Sequence, residues 1–579
     1  MARETAGAEA AGPGAAGPPE RLLEALDPEQ REVASTLLGP VCVLAGAGTG
    51  KTRAITHRIA YGVRTGTYSP TAVLAVTFTT RAAGEMRARL RQLGAPGVQA
   101  RTFHSAALRQ LTYFLPKVTR RRPPRLVEHK APLVAQAAAR LGFEVDRAAI
   151  RDLAAEIEWA KVQLWTAEDY QAGAEKAGRG QVAGHDAVGV ARLMGVYERI
   201  LAEAEAMDFE DVLLATCGLL EDYPQVADQV RGQYRHFVVD EYQDVSPVQQ
   251  RLLDLWLGGR REVCVVGDPN QTIYSFAGAS ARPLLDFPRH YPGAPVIRLV
   301  RDYRSTPEVV SLANRTLGFG AAARPGGPAV ALVRDGIGGD ALVSRAVGAG
   351  ARAGVELVAQ LPSGPPVLWG RFADDVQEAE GVVREIRRLV AGGVRPADVA
   401  ILFRTNGQSE PFETALDDAR VAYQVRGGQR FFTRQEVRQA VALLRSEARV
   451  QAASGQGATV LERVHDALGA AGWRSEPPAE RGATRDKWES LDALERLARE
   501  LIAGGATTLR QVVDVIVERA AQDHAPEPSG VTLASLHAAK GLEWEAVFLA
   551  GLSDGLLPIS LATSPAEVAE ERRLLYVGV

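Results

Sequence analysis

Short apolar runs, each followed by a polar turn and a helical pattern, recur along the first half of the chain. The clearest are Val41–Leu44, Val73–Phe78, His236–Val239 and Val263–Val266. Continuous apolar runs of this length, bounded by turn residues, are typical of strands buried in a parallel sheet. Because helical patterns alternate with these strands, the first half is predicted to form an α/β domain with a parallel sheet.

A second series of strand-like runs predicts a second α/β domain. These runs are Val367–Trp369, Val399–Phe403, Val421–Val425, Val531–Leu533 and Val547–Leu549. Residues 572–579 are predicted to form an amphipathic helix that runs into a strand. Since that strand would be cut off after three or four residues, the sequence is expected to be a fragment of a longer protein.

Two Ala-rich helical stretches interrupt the alternation, and each is predicted to be an insertion into one of the two domains. The predicted organisation is a disordered tail over 1–20, a first domain over 21–110 and 206–298 with an insertion over 111–205, and a second domain over 299–445 and 529–579 with a shorter insertion over 446–528. A basic cluster over 117–125 admits two interpretations, a solvated loop or a phosphate contact.

Composition narrows the class of protein. The 579 residues carry a net charge of −3, so no overall basic field indicates nucleic acid, although a local basic groove would suffice. The three cysteines, Cys42, Cys217 and Cys264, are far apart, which excludes a disulfide framework and fits a reducing compartment. No apolar run approaches the ~18 residues of a membrane span, and the first twenty residues lack the pattern of a signal peptide. A cytoplasmic location without membrane association is expected.

A glycine-rich turn joins the first strand to the next helix. Backbone N–H groups at such a turn can cradle phosphates, Lys51 would neutralise the β- and γ-phosphates, and the Thr52 hydroxyl would ligate Mg²⁺. The strict pattern begins with Gly, where this chain has Ala45, and a turn of this kind can also be a plain connection. The candidate phosphate-binding residues are Ala45, Gly46, Ala47, Gly48, Thr49, Gly50, Lys51 and Thr52.

Adjacent acids follow the strand His236–Val239. Asp240 suits coordination of Mg²⁺, and Glu241 suits polarisation of a water molecule. Paired acids at a strand end are also common as plain loop residues. Their position about one domain length after a phosphate-binding turn favours the catalytic interpretation.

Aromatic and polar residues cluster in the turns after the other strands. Phe78, Tyr274 and Phe276 could each be packing residues or platforms on which bases stack. Gln271 could orient water at a γ-phosphate, and Arg304 could be a cationic clamp on it. Near the start of the chain, Asp27 is predicted to cap a helix. Tyr303 could offer its ring to a base, and the Gln30 amide could bind the edge of adenine.

The order of these motifs carries a family pattern. The chain resembles superfamily-one DNA helicases of the UvrD/PcrA/Rep type over nearly its whole length. The matching segments are Leu26–Gln30, Ala45–Thr52, Phe78–Ala83, Thr102–Ser105, Val239–Asp244, Val266–Tyr274, Asp302–Thr306, Phe403–Asn406, Gly427–Glu436, Leu536–Glu543 and Glu570–Val579.

The resemblance implies two RecA-like domains with ATP between them, and it implies ATP-driven 3′-to-5′ movement on single-stranded DNA. Magnesium ion would accompany ATP, and the substrates would be single-stranded DNA and single/double-strand junctions. DNA repair or replication, unidentified repair partners and association with a bacterial nucleoid are expected. Residue roles follow motif by motif. Adenine would be held by Gln30, Arg53 and Tyr303, and the ribose would be held by Glu543. The metal would be bound by Thr52 and Asp240, the phosphates would be bound by Lys51, Gln271 and Arg304, and the general base would be Glu241. DNA would be contacted by Phe78, His104, Tyr274, Phe276, Asn406 and His537.

Departures from the family pattern leave a second function open. Phe276-Ala277 replaces the usual Trp-Arg, and the second insertion is short, which predicts altered strand contact. An ATP-switched translocase that loads or displaces proteins without processive unwinding is therefore the alternative, and a P-loop ATPase without a nucleic-acid role is a third. The family's last motif continues into an Arg that would follow Val579. The 579 residues are therefore expected to bind Mg-ATP and to hydrolyse it poorly, since an arginine that contacts the γ-phosphate contributes ~10³–10⁵ to the rate of hydrolysis.

Overall fold

The computed structural model describes residues 18–145, 147–319, 354–405, 408–426, 432, 435–453, 459–476, 483–503, 505–521, 530–560 and 562–579. The chain divides into two compact units. Unit one comprises Met1–Tyr303 with Ala353–Val355, and unit two comprises Arg304–Arg352 with Glu356–Val579.

Unit one is built on a parallel sheet with helices packed around it. Its strands are β1 Val41–Ala45, β2 Val73–Thr77, β3 Gln99–Thr102, β4 Arg125–Leu126, β5 Gln181–Val182, β6 His185–Asp186, β7 Ala206–Met207, β8 His236–Val239, β9 Val263–Gly267, β10 Val296–Leu299 and β11 Arg301–Asp302. Its helices are α1 Arg21–Glu24, α2 Pro28–Ser35, α3 Lys51–Arg64, α4 Thr80–Gln92, α5 Phe103–Thr119, α6 Ala131–Arg140, α7 Arg147–Val162, α8 Tyr170–Lys176, α9 Ala187–Glu203, α10 Phe209–Asp222, α11 Pro224–Gln233, α12 Pro247–Leu257, α13 Arg282–Leu285 and α14 Phe287–His290.

Six strands form the central sheet of unit one in the order β10-β1-β9-β8-β2-β3. Every pair in this sheet is parallel. Strands β1, β2 and β9 are buried at every position, which explains their uninterrupted apolar sequence. Because all six strands run the same way, their carboxyl ends and the turns that follow lie at one edge of the sheet.

The helices α6–α9 of unit one form a separate small core. Leu153, Ile157, Leu193 and Tyr197 lie in that core with exposed fractions of 0 %. These helices lie within the stretch predicted to be an insertion, and the domain boundaries given above stay a prediction.

Unit two contains a smaller parallel sheet. Its strands are β12 Val358–Ala359, β13 Val399–Phe403, β14 Tyr423–Arg426, β15 Val531–Ser535 and β16 Ala546–Leu549. The four longer strands pair in the order β14-β15-β13-β16, all parallel. The helices are α15 Pro307–Thr316, α16 Asp375–Ala391, α17 Ser409–Asp418, α18 Gln435–Ala453, α19 Val460–Ala470, α20 Ala483–Ala503, α21 Leu509–Ala521 and α22 Pro565–Gly578. Helices α18–α21 share one apolar core. The predicted fold class, α/β with two RecA-like parallel-sheet domains, is confirmed.

Two strand predictions in unit two are wrong. Residues 367–369 form no strand, and Leu368 and Trp369 are 69 % and 54 % exposed. Pro365 and Pro366 precede this run and have no N–H to donate to a ladder, and Gly370 ends it. The chain's last residues belong to α22, which extends to Gly578, rather than to a strand.

The end of α22 is fixed by packing. A Cβ added at Gly578 would lie 2.5 Å from Leu536 Cδ2, so the helix packs closely against the segment after β15. Helix continuation therefore replaces the strand that the apolar pattern of these residues indicated. Among the described residues, no helix has the length and apolar character needed to cross a membrane.

Candidate nucleotide and nucleic-acid site

The glycine-rich turn joins β1 to α3, as the sequence predicts. Gly48 and Gly50 have φ values of 67° and 76°, a left-handed conformation that residues with a Cβ adopt only at a cost. Gly50 is the N-cap of α3, which begins at Lys51. The first N–H groups of a 14-residue helix therefore point out of this turn, an arrangement suited to phosphate oxygens.

Two other segments of unit one pack on this turn. The Tyr303 N–H donates to the Gly48 carbonyl at 3.0 Å, and the buried Gln30 amide Nε2 donates to the Thr49 carbonyl at 3.0 Å. Asp302 lies so close to Gly48 that an added Cβ would come within 2.4 Å of its carboxylate. Glycine is therefore required at position 48 for two reasons, the left-handed backbone conformation and the close approach of Asp302. The contact with Asp302 was not predicted from the sequence.

The residues predicted to hold adenine lie around the start of α2. Asp27 caps this helix by accepting from the Gln30 N–H at 2.7 Å, which confirms the predicted cap. The Tyr303 hydroxyl donates to the other oxygen of Asp27 at 2.7 Å. Arg53 donates to the Ala25 carbonyl at 2.7 Å, so Gln30, Arg53 and Tyr303 are gathered at one end of α2 beside the glycine-rich turn.

Asp240, at the end of β8, meets the turn directly. The Thr52 hydroxyl hydrogen-bonds to its carboxylate, and Lys51 is close enough to act on it electrostatically. Burial, and then the neighbouring Glu241, raise the pKa of Asp240 because both disfavour its charged form. The described residues contain no group of three or more His, Cys, Asp or Glu side chains suited to a metal. Two oxygen ligands, from Thr52 and Asp240, fit Mg²⁺, which usually keeps waters and phosphate oxygens in its remaining positions.

Glu241 is held in a strained conformation. Its φ of 52° places a non-glycine residue in the left-handed region, which costs ~1–3 kcal/mol and is concentrated at functional sites. Its N–H donates to Asp240 at 2.9 Å, and its carboxylate accepts from the Gln243 amide at 2.5 Å. The surrounding contacts therefore fix the direction of the Glu241 side chain.

Gln243 connects the acidic turn to the turn after β9. Its side chain is fully buried, and its Oε1 accepts from the Asp268 N–H at 2.9 Å. Asp268 in turn accepts from the Gln271 amide at 3.0 Å. A Cβ on Gly267 would lie 2.4 Å from Gln243 Oε1, so the strand end leaves room for this amide. Sequence reasoning assigned no role to Gln243, since nothing in its spacing distinguishes it from other turn residues.

Three aromatic rings lie together at the same edge of the sheet. Phe78, after β2, stacks on Tyr274, after β9, with ring centroids 5.7 Å apart and planes 12° apart. Phe276 meets Tyr274 edge-on, with centroids 6.2 Å apart. Phe78 and Phe276 are 44 % and 58 % exposed, which favours the interpretation of base-stacking platforms over that of core residues.

His104 begins a second aromatic surface after β3. Its ring stacks on Phe209 with centroids 3.8 Å apart, and Phe209 is half exposed. Burial lowers the pKa of His104 to about 4, so the ring is neutral at pH 7. A contact between DNA and this surface would therefore use ring faces rather than a histidine charge. Phe209 was missed because it opens a helix, where an apolar residue is ordinarily a packing residue.

The remaining predicted contacts belong to unit two. Arg304 forms an ion pair with Glu543 at 2.7 Å, which brings together two predicted nucleotide contacts. Burial, followed by the charge of Arg404, lowers the pKa of His537 to about 4. Arg404 itself forms a part-buried ion pair with Glu571 of α22 at 2.9 Å. Asn406 lies outside the described residues.

Comparison with known proteins agrees with this arrangement. Residues 26–292 match the UvrD/REP helicase N-terminal domain, and residues 297–454 and 460–579 match the UvrD-like helicase C-terminal domain. The chain is 47 % identical over 576 residues to the ATP-dependent DNA helicase UvrD2 of Mycobacterium tuberculosis and to that of Mycobacterium bovis, covering 96 % of this chain and 77 % of each relative. It is 27 % identical over 635 residues to the ATP-dependent DNA helicase PcrA of Staphylococcus aureus, covering 96 % of this chain and 82 % of that relative. The chain belongs to the UvrD-like helicases of superfamily one.

Proposed function

We propose that this protein is an ATP-dependent DNA helicase that moves 3′-to-5′ along single-stranded DNA, acts at single/double-strand junctions and serves DNA repair or replication in the bacterial cytoplasm. The observation that carries the proposal is the continuity of unit one's sheet edge. Phosphate-binding and acidic residues follow β1 and β8, exposed aromatic rings follow β2 and β9, and the Gln243 amide joins the two groups. A nucleotide-dependent movement of Glu241 would therefore be transmitted through Gln243 to the turn that carries Tyr274.

The proposed chemistry is transfer of the γ-phosphoryl group to water. Such transfer depends mainly on positioning and on neutralising charge. Lys51 and the helix N-terminus would bind the phosphates, and Glu241 would accept a proton from the attacking water. Thr52 and Asp240 would hold a magnesium ion, which would neutralise part of the phosphate charge. The strained backbone and the Gln243 contact of Glu241 support its role as the base.

Other residues would recognise the rest of the nucleotide. Gln30, Arg53 and Tyr303 are proposed for the base and Glu543 for the ribose, while Gln271 and Arg304 are proposed for the γ-phosphate. Gln271 is anchored by Asp268, one bond away from Gln243 in the same hydrogen-bonded chain. Its position would therefore respond to the state of Glu241.

Single-stranded DNA would stack on the exposed rings of unit one. Stacking on Phe78, Tyr274 and Phe276 is indifferent to base identity, because every base offers a flat face. His104 with Phe209, and His537 and Asn406 in unit two, are proposed as further contacts. Sequence-independent stacking suits a protein that must step along any strand.

The test is ATP turnover and strand displacement by the complete natural reading frame. The protein should hydrolyse ATP faster with single-stranded DNA and should displace a strand from duplexes that carry a 3′ tail. Glu241→Gln should leave ATP affinity within a few-fold and reduce turnover by ~10²–10⁴, the usual contribution of a general base.

Glu262→Gln is the matched control, because Glu262 precedes β9 at the opposite edge of the sheet. Unchanged turnover in Glu241→Gln would remove Glu241 from its role. Stimulation by DNA without strand displacement would favour the alternative, a translocase that loads or displaces proteins. An ATP turnover rate that does not change when oligonucleotide is added would contradict the proposal that the protein is a DNA motor.

A further inference from the structure

The turn that presents Phe276 is short. Ser275–Ala277 form a single turn of 3₁₀-helix, closed by hydrogen bonds from Ala277 and Gly278 back to Tyr274 and Ser275. The Phe276 ring is 58 % exposed and meets the Tyr274 ring edge-on, so packing covers less than half of it. The direction of this ring therefore depends on what holds the backbone of the turn.

Arg179, from the helical part of unit one, holds that backbone. Its Nη2 donates to the Phe276 carbonyl at 3.1 Å, and its Nη1 contacts Glu156 at 2.5 Å. Its guanidinium also lies over the Trp159 ring, 4.0 Å from the centroid. A planar guanidinium can make these three contacts together, whereas a lysine ammonium on its flexible stem cannot reproduce their geometry.

The partners of Arg179 are themselves fixed. Glu156 is 3 % exposed and accepts a second hydrogen bond from the Tyr170 hydroxyl at 2.8 Å. Tyr170 has no exposed surface. The charge of Arg179 is thus neutralised by a buried carboxylate, and its side chain is only 30 % exposed. These features suit a residue that positions the turn and argue against a direct ion pair with a phosphate.

Helix α7, which carries two of the Arg179 partners, also packs directly against the turn. An added Cβ at Gly278, whose φ is 91°, would lie 2.6 Å from Val162 Cγ2 at the end of α7. Glu156 and Trp159 also belong to α7, so one helix supports the turn through both packing and Arg179. The sequence pattern around Phe276 gives no sign of this, since Arg179 lies 97 positions away along the chain.

We infer that Arg179 is a positioning residue of the single-stranded DNA site, and that it acts by holding the Phe276 carbonyl so that the Phe276 ring faces the bases. The inference deepens the proposed function and rests on it. It predicts that the contribution of Arg179 to DNA affinity is exerted through Phe276. Arg179 would then add nothing once the aromatic ring is gone.

The experiment measures the affinity for a fluorescent oligo-dT across a salt series. Because base stacking on one aromatic residue is worth ~5- to 150-fold in affinity, Phe276→Ala should weaken binding within this range. Arg179→Ala and Arg179→Lys should each weaken binding by ~5-fold or more, within that same stacking range and by no more than Phe276→Ala does. The double variant Arg179→Ala/Phe276→Ala should bind no worse than Phe276→Ala alone, as expected when two residues act as one unit.

Three controls separate positioning from other roles. Arg192→Ala removes an exposed arginine of the same helical region, on α9, and should leave affinity unchanged. The slope of log affinity against log salt should stay at its wild-type value in Arg179→Ala, because a lost phosphate contact would lower it by about one. The affinity for a fluorescent ATP analogue should also stay near wild type, whereas the unfolding midpoint should fall in Arg179→Ala, because the buried Glu156 carboxylate loses its cationic partner.

Several outcomes would overturn the inference. A reduced salt slope would make Arg179 a phosphate contact, full binding by Arg179→Lys would show that charge alone suffices, and additive losses in the double variant would separate Arg179 from Phe276. If Arg179→Ala does not fold, Arg179→Lys carries the test. Wild-type affinity in Phe276→Ala would contradict the proposed DNA site itself, whereas a loss in Phe276→Ala with none in Arg179→Ala would contradict this inference alone.

Discussion

Replacing Gln243 with leucine should separate ATP turnover from ATP binding. The substitution keeps a similar side-chain volume and removes the hydrogen bonds of a fully buried amide, of which the two shortest are the one to Glu241 and the one from Asp268. Neither bond involves the phosphate-binding turn. The affinity for ATP should therefore stay within a few-fold of wild type.

The magnitude follows from these two bonds. The Asp268 N–H is buried and would lose its acceptor, which costs about 1–3 kcal/mol. The bond to the Glu241 carboxylate is worth about 1.5–3 kcal/mol, as for other hydrogen bonds to charged groups. The free energy of unfolding of unit one should fall by about 2.5–6 kcal/mol, a large share of the ~5–15 kcal/mol typical of a folded domain.

Turnover should fall further than stability suggests. Glu241 would no longer be held toward the attacking water, and a general base contributes ~10²–10⁴ in rate. At saturating ATP and DNA, kcat is expected to fall by about 10²-fold, because Glu241 is no longer oriented as the general base.

The assay combines steady-state turnover of the complete reading frame, binding of a fluorescent ATP analogue and denaturant unfolding. Gln250→Leu is the matched control. Gln250 accepts from the Tyr242 hydroxyl at 2.6 Å and donates to Asp254 without touching Glu241. Gln243→Leu with the kcat of wild type would refute the role of Gln243, and equal losses of kcat in both variants would attribute the effect to general destabilisation.

Two further predictions concern the same sheet edge. Gly48→Ala should weaken binding of a fluorescent ATP analogue by about 10- to 100-fold, since a left-handed residue with a Cβ costs ~1–2 kcal/mol and that Cβ would also displace Asp302. Gly66→Ala, with a φ of 76° and nothing within 4 Å of an added Cβ, is its control, and an equal loss of ATP affinity there would contradict the argument. The buried His104, whose pKa is lowered to about 4, should make the free energy of unfolding decline as pH falls from about 6.5 towards 4, because the unfolded chain takes up that proton first. His104→Phe should flatten this decline in denaturant unfolding at a series of pH values, and an unchanged pH profile would show that His104 is not responsible.

Much of the nucleotide site could be predicted because its residues belong to short sequence motifs that can be recognised from a few neighbouring positions. Asp240 directly follows an apolar strand, Lys51 and Thr52 follow the glycine-rich turn after another strand, and Asp27 precedes a proline at a helix start. Gln243, Asp302 and Arg179 could not be predicted in the same way. Each gains its role from a contact with a segment that the sequence does not place beside it, such as Asp268 or Gly48.

The two wrong strand predictions have a related cause. An apolar run becomes a strand only when neighbouring strands pair with it, and Pro365 and Pro366, which have no N–H, cannot extend a hydrogen-bonded ladder ahead of Val367. At the end of the chain, the capping box of Ser564 and Glu567 starts a helix whose pattern continues through the apolar residues to Gly578. A short apolar run does not by itself distinguish these possibilities.

The sequence by itself determined the class of fold, the elements that carry each motif and the chemistry of each turn, because hydrophobic period and turn residues act over a few neighbouring positions. Only the tertiary structure decided that β9 lies between β1 and β8, which brings the turn of Tyr274 beside Glu241 and lets Gln243 join them. Strand order and long-range side-chain contacts depend on how whole elements pack, and packing joins residues whose separation along the chain carries no signal.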